Sequence, residues 1–141
     1  MPALTLAQAN RIIEAALANA RSLKIKPLAV AVLDASGHLK SLQREDDASM
    51  FRNDIAIGKA WASVGMGASS RTLLERAKDN PQFYGALVAT AQGKFLPQTG
   101  AVLIKDAAGN ILGAAGASGG TGEEDEAACI AGVTAAGLVA G

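Results

Sequence analysis

Apolar residues recur at helical spacing near the start of the chain, at Ala9, Ile12, Ile13, Ala16, Leu17 and Ala20. This puts them on one face of an amphipathic helix. Thr5 and Gln8 form a capping box ahead of it. The helix is expected to run about five turns and to end near Leu23. The segment Lys24-Ile25-Lys26-Pro27 stops it, because Pro27 disfavours helix at the residue before it. Residues 28–33 are a continuous apolar run bounded by turn residues, the pattern of a buried strand. Asp34-Ala35-Ser36-Gly37 suits a tight turn, and residues 38–44 return as a more polar strand near a sheet edge. A polar loop over 45–49 leads to a helix over 51–66. There Ile55, Gly58, Ala62 and Gly65 share one side and imply close packing onto another backbone. Gly65-Met66-Gly67 ends it.

The second half continues the alternation. Thr72 and Glu75 read as a capping box that opens a short helix to Lys78. Asn80-Pro81 starts the next helix with proline at its first position; it carries Phe83, Tyr84, Leu87 and Val88, and Gly93 closes it. Residues 95–97 are expected to form a short edge strand, where Pro97 is tolerated. Strands over 101–105 and 111–117 flank a turn at Asp106-Ala107-Ala108-Gly109, and a last helix spans about 123–138. The stretches AVAVLDASGHL from Ala29 and AVLIKDAAGNI from Ala101 share strand, Asp-x-x-Gly turn and strand restart. Their flanks do not match, which favours two hairpins with the same turn chemistry over a true repeat. The order helix, hairpin, helices, hairpin, helix predicts an α/β fold. Its central antiparallel sheet has about five strands, with helices on both faces.

The most informative stretch is GAAGASGGTGEEDEAAC, residues 113–129. A strand passes through a glycine-rich bend and opens a helix. Thr121 and Glu124 are spaced as a capping box, and the acids at 123–126 complement the helix dipole. Backbone N–H groups at Ser118, Gly119, Gly120 and Thr121 could meet an anionic ligand. The acids on the same turn, Asp125 among them, oppose an anion, and a simple cap and turn explains the stretch as well. Arg44, Asp46, Asp54 and Lys59 form a charged set around the start of the second long helix. They could line a pocket mouth and hold a carboxylated ligand, or be surface charges and oligomer contacts. Asp54 and Lys59 are about 500° apart on the helix and are no i,i+4 pair.

Other chemistry is sparse. His38 is the one histidine and follows a turn, so it should be largely exposed. It could ligate haem iron, as could Met50, Met66 or Tyr84; the last three read equally as core or interface. Cys129 sits on an alanine-rich helix face and reads as a buried small hydrophobe, not a nucleophile. Glu123, Asp125 and Glu126 could in principle take a hard cation, but acidic first turns are common without one, and no metal site is assigned. There is no P-loop, and one histidine leaves little room for a Ser-His-Asp set. At 141 residues the chain is expected to be one domain over 1–141. Half its residues are apolar and only 4% aromatic, so the core should be built from Ala, Val, Leu and Ile. Thirteen basic and thirteen acidic residues cancel, which removes the electrostatic footprint for nucleic acid or an anionic membrane. The balance also leaves self-association unopposed. A single cysteine makes no internal disulfide. The start Met1-Pro2-Ala3-Leu4-Thr5 lacks signal-peptide character, and no run is long enough to span a membrane. These readings predict a soluble cytoplasmic protein.

Four segments, in order, resemble the GlcG/HbpS family, also called DUF336 or haem-degrading-domain-like. They are LTLAQANRIIEAAL, AVAVLDASGHLKSLQRED, IAIGKAWAS and GAVLIKDAAGNILGAAGASGGTGEEDEAACIAG, and they cover nearly the whole chain. The last is the most specific. The resemblance implies a profilin-like α/β/α sandwich and homo-oligomers from tetramer to octamer. It also implies three settings: an extracellular haem-binding regulator of a sensor kinase, a domain attached to a corrinoid adenosyltransferase, and a small protein encoded with glycolate-utilisation enzymes. The chain is expected to depart from the first in lacking a signal peptide and from the second in lacking an adenosyltransferase domain. The leading expectation is a small-ligand binding protein, with haem or a related tetrapyrrole as the candidate ligand. Alternatives are an enzyme or enzyme accessory acting on a small carboxylated metabolite, and a structural oligomer without ligand. The candidate ligand-binding residues are Arg44, Asp54, Lys59, Ser118, Gly119, Gly120, Thr121 and Asp125.

Overall fold

A computed structural model of the chain describes residues 3–141. Met1 and Pro2, the first residues of the stretch read as lacking a leader, lie outside the described residues. The elements are α1 (Leu6–Ser22), β1 (Ala29–Asp34), β2 (Leu39–Arg44), α2 (Phe51–Met66), α3 (Ser70–Asp79), α4 (Pro81–Thr90), β3 (Ala101–Lys105), β4 (Ile111–Ser118), α5 (Gly122–Ala135) and β5 (Val139–Ala140). Among the described residues, the strands form one antiparallel sheet in the order β2-β1-β4-β3-β5. The polar β2 is an edge strand, as its composition predicts.

Alternation along the strands sorts the core into two layers. Val30, Val32, Val102, Ile104, Ala115 and Ala117 face α1 and α5, where they pack with Ile12, Ile13, Ala16, Ala128 and Val133. Leu33, Leu103 and Ala114 face α2 and pack with Ala60, Ile57 and Trp61. Helices on both faces give the expected α/β/α layering. Small residues set the spacing on each side. An ideal Cβ on Gly116 of β4 would meet the Ala56 carbonyl oxygen of α2, and one on Gly132 of α5 would meet the Ile12 carbonyl oxygen of α1. Backbone therefore lies almost against backbone in both layers.

The two Asp-x-x-Gly turns have the same construction. Asp34 Oδ1 accepts from the Ser36 and His38 N–H groups, and Asp106 Oδ1 accepts from those of Ala108 and Asn110. Both carboxyls are held below the usual carboxylate range. For Asp34 the chief cause is the His38 N–H; for Asp106 it is the Asn110 side-chain amide, followed by its N–H.

Several boundaries differ from expectation. Residues 95–97 form no strand: the Leu96 N–H donates to the Gly58 carbonyl of α2, and Phe95 is buried beside Tyr84 and Leu73. The fifth strand is instead β5, which pairs with the end of β3. Helix α3 starts three residues earlier than predicted, its cap moved from Thr72 to Ser69. Ser69 supplies the cap oxygen for the Thr72 N–H, which leaves Thr72 inside the helix. Helix α5 stops at Ala135, short of 138, because Gly137 takes a left-handed φ of 77°. On α2 the sheet contact belongs to Ala56 and Ala60, whereas Gly58 lies under Leu96 and Gly65 has open space beside it. The side of α2 predicted to pack closely onto another backbone does so at Gly58, against residues 94–96, and not against the sheet.

Candidate ligand site

The end of β4, the glycine bend and the start of α5 converge on α2 around a buried ion pair. Lys59 Nζ lies 3.1 Å from Asp125 Oδ2, with side-chain exposures of 7% and 2%. Nζ also donates to the Ala117 carbonyl oxygen at 3.0 Å. The other Asp125 oxygen, Oδ1, accepts the Gly120 N–H at 2.9 Å. Asp125 therefore reaches back from the first turn of α5 and pins the bend, while the ammonium ties α5 and β4 to α2. Burial pushes the Asp125 carboxyl above the usual carboxylate range, and Lys59 pulls it the other way. The cap of α5 is reciprocal. Thr121 Oγ1 accepts the Glu124 N–H, and Glu124 Oε1 accepts the Thr121 N–H. Glu126 is engaged elsewhere, in a two-pronged bond with Arg71 of α3 that raises the Arg71 pKa.

Two depressions flank α2 here. One, of 480 Å³, is lined by the polar residues Arg52, Lys59, Gln98, Thr99, Ser118, Glu123 and Asp125 and by Ile55, Leu74 and Leu96. Arg52 Nη1 donates to Ser118 Oγ at 3.2 Å, and no carboxylate pairs with Arg52 among the described residues. The second, of 430 Å³, is mainly apolar, lined by Phe51, Ile55, Ile57, Trp61 and Leu96, with Asp54 and Lys94 also in its wall. Ile55 and Leu96 belong to both, so the apolar and cationic surfaces share a wall. Both volumes fall in the range of small-molecule sites. Among the described residues, no group of three or more His, Cys, Asp or Glu side chains could hold a metal ion.

The family model described as "Haem degrading protein HbpS-like" matches residues 4–134. The chain belongs to this HbpS-like family. It is 29% identical over 122 residues to an uncharacterized 15.0 kDa protein of the dhaT-dhaS intergenic region of Citrobacter freundii, covering 86% of this chain and 84% of the relative. It is 31% identical over 124 residues to the corrinoid adenosyltransferase PduO of Salmonella typhimurium, where 87% of this chain covers 36% of that protein. Against the larger enzyme the chain therefore matches about a third of its length. Among solved structures it resembles a PduOC:heme complex, with a TM-score of 0.87, 27% identity and 97% coverage of both chains. It also resembles a double-mutant form of Streptomyces reticuli HbpS, with a TM-score of 0.82, 25% identity, and coverage of 95% of this chain and 87% of that one.

In this HbpS-like chain the residues singled out from sequence fall into three places. Lys59, Ser118, Gly120 and Asp125 come together in the polar depression. Gly119 and Thr121 lie behind it in a separate 470 Å³ depression with Lys24 and Lys26, to which Arg52 and Gly120 also contribute. Asp54 is in the apolar depression, and Arg44 stands apart with Arg21, Glu45 and Asp46, its Nη1 bonded to the Ala48 carbonyl. The charged set around α2 is therefore dispersed, and Lys59 is buried, not at a mouth. His38 is 80% exposed and lines none of these three depressions around the bend and α2. Cys129 is buried with Sγ against the Gly100 carbonyl, and burial raises its thiol pKa far above the usual value. Arg52 was missed. The signal for it was its spacing: Arg52, Ile55 and Lys59 are at i, i+3 and i+7 on α2 and share one face.

Proposed function

We propose that this protein binds haem or a related tetrapyrrole, with the macrocycle against the apolar wall of α2 and its carboxylates toward Arg52 and Lys59. The observation that carries the reading is the likeness to the PduOC:heme complex over nearly the whole of both chains. The geometry supports it. Phe51, Ile57 and Trp61 offer an apolar surface next to an arginine with free donors, separated by the shared wall of Ile55 and Leu96. A flat apolar ligand with acidic substituents needs this pairing of surfaces, and arginine matches carboxylate geometry in particular. Neither depression is lined by His, Cys, Met or Tyr, the usual haem-iron ligands. The residues fit the ring and its carboxylates better than the iron, and the reading is of haem with weak axial ligation, in a cleft or between subunits.

The test is a haemin titration followed at the Soret band. Wild type is expected to saturate, Arg52→Gln to bind roughly tenfold or more weakly through loss of a charge-assisted contact, and His38→Ala to give an unchanged spectrum. Absence of a saturable band in folded wild type would overturn the proposal.

We also propose that the protein is cytoplasmic and a homo-oligomer, from tetramer to octamer. Met50 and Phe51 are 71% and 61% exposed next to the apolar depression, which suits a covered surface. Formal net charge is zero, and a buried free cysteine suits a reducing compartment. Among the described residues, no helix is long and apolar enough to cross a membrane.

A further inference from the structure

The Lys59–Asp125 pair is more than a staple between helices, because both side chains also line a depression open to solvent. A buried lysine beside a carboxyl, at the wall of a pocket, has the parts needed for amine chemistry on carbonyl compounds. We propose that Lys59 forms an imine with small 2-oxo acids, with Asp125 as the proton carrier and Arg52 and Ser118 as the carboxylate contacts. This goes beyond haem binding and does not depend on it.

The step balances within the site. Lys59 passes a proton to the Asp125 carboxylate across 3.1 Å, which leaves an amine with a free lone pair and a neutral acid. The transfer leaves the net charge of the buried pair unchanged. Burial already favours the protonated form of Asp125. Nζ then attacks the carbonyl carbon, and Asp125 protonates the carbonyl oxygen. Asp125 next takes a proton from nitrogen and returns it to the hydroxyl, which leaves as water while the nitrogen lone pair forms the C=N bond. The sum is ammonium plus ketone giving iminium plus water. The product keeps one positive charge, so Asp125 still faces a cation and no unpaired charge is created in the interior. The single N–H of the iminium can remain on Asp125, and the bond to the Ala117 carbonyl is the one given up.

The surroundings select the substrate class. Arg52 and Ser118 line the same depression, and Arg52 has no carboxylate partner among the described residues. They suit a carboxylate adjacent to the reacting carbonyl, and Glu123, which lines the same depression, limits the site to a small, singly charged acid. Ile55, Leu74 and Leu96 suit a short apolar tail. On the other side, an ideal Cβ on Gly100 would lie 2.6 Å from Lys59 Nζ, so the amine is confined where it faces Gly100.

The experiment uses the folded wild-type chain with pyruvate, or with acetone as the analogue lacking the carboxylate, each with cyanoborohydride. Peptide mass spectrometry locates the reduced adduct. The expected result is a pyruvate adduct on Lys59 ahead of exposed lysines such as Lys78, with that preference lost in urea. Arg52→Gln should cut Lys59 labelling by pyruvate roughly tenfold or more, the worth of a charge-assisted hydrogen bond, and change the slower acetone labelling by much less. Labelling of exposed lysines with Lys59 spared in native protein would overturn the proposal. Equal Lys59 labelling by pyruvate in wild type and Arg52→Gln would overturn the assigned substrate class. The main readout needs no variant, so a folding defect in a mutant cannot blur it.

Discussion

Replacing Lys59 by methionine is the sharpest test of how the site is held. The change keeps a long apolar stem and removes only the ammonium. Asp125, 2% exposed, would then keep one polar partner, the Gly120 N–H. Removing one partner of a buried pair typically costs about 3–5 kcal/mol, because the other charge is left without compensation. That is a large part of an ordinary domain stability of about 5–15 kcal/mol. Asp125→Asn in the same background removes the stranded charge. The double mutant should therefore be more stable than Lys59→Met alone, with a coupling of about 1–3 kcal/mol. The assay is urea unfolding at one fixed protein concentration, since self-association would otherwise shift the midpoint. The pH dependence adds a sign. The Asp125 carboxyl is raised above its ordinary value by burial, against the pull of Lys59. A raised carboxyl binds its proton more tightly in the folded state, so its stabilising contribution is fully present below the unfolded pKa. That contribution is lost as pH rises through the folded pKa. Removing Lys59 removes an influence that lowers the folded pKa, so the mutant should lose more stability with rising pH than wild type. Its deficit should be smaller at about pH 4 than at about pH 7. A Lys59→Met cost below about 1 kcal/mol at neutral pH, or a double mutant no better than the single, would refute the reasoning.

Two further outcomes are expected. Thr121→Ala removes one arm of the reciprocal cap on α5 and should cost about 0.5–2 kcal/mol in the same urea assay; haemin affinity of the folded mutant should be nearly unchanged, because Thr121 lies outside the two depressions beside α2. Light scattering at micromolar concentration should report an assembly larger than one chain, and a monomer there would remove the oligomeric part of the proposal.

Much of the layering could be read from the sequence because it depends on local patterns. The 3.6-residue period of α1, the apolar run of β1 and the paired turns at Asp34 and Asp106 each act over a few residues. The capping boxes at Thr5 and Thr121 do the same, and both form as expected. What could not be read depends on distance in the chain. β5 has two residues and no period; it exists because it can pair with β3. Residues 95–97 carry strand-like composition, yet their backbone meets α2 instead of a sheet edge. The ion pair shows the same limit. Lys59 and Asp125 were each named as candidates, one in a charged set and one in an acidic turn, but 66 residues separate them. Nothing local says that they meet. Arg52 was within reach, since its phase on α2 relative to Lys59 is a local property.

The glycines of the organising bend show how a fold constraint and a binding signature can look alike in sequence. Five consecutive small residues before an acidic helix suggested backbone kept bare for a ligand. In the structure the positions that a Cβ on these glycines would occupy are already filled by protein. A Cβ on Gly119, at φ 142°, would meet the Pro27 carbonyl oxygen and Leu28. One on Gly120 would meet Ile25 and Glu124, and one on Gly122 would meet Thr99. The bend is bare because the end of α1's connection, the cap of α5 and the segment before β3 crowd it from three sides. This gives each glycine a reason that needs no ligand. The same bend brings the Gly120 N–H within 2.9 Å of the Asp125 carboxylate. The glycines then act on the site through Asp125, by fixing the carboxylate that faces Lys59. In the imine proposal the stretch contributes through the acid after the bend, whose carboxylate the Gly120 N–H holds.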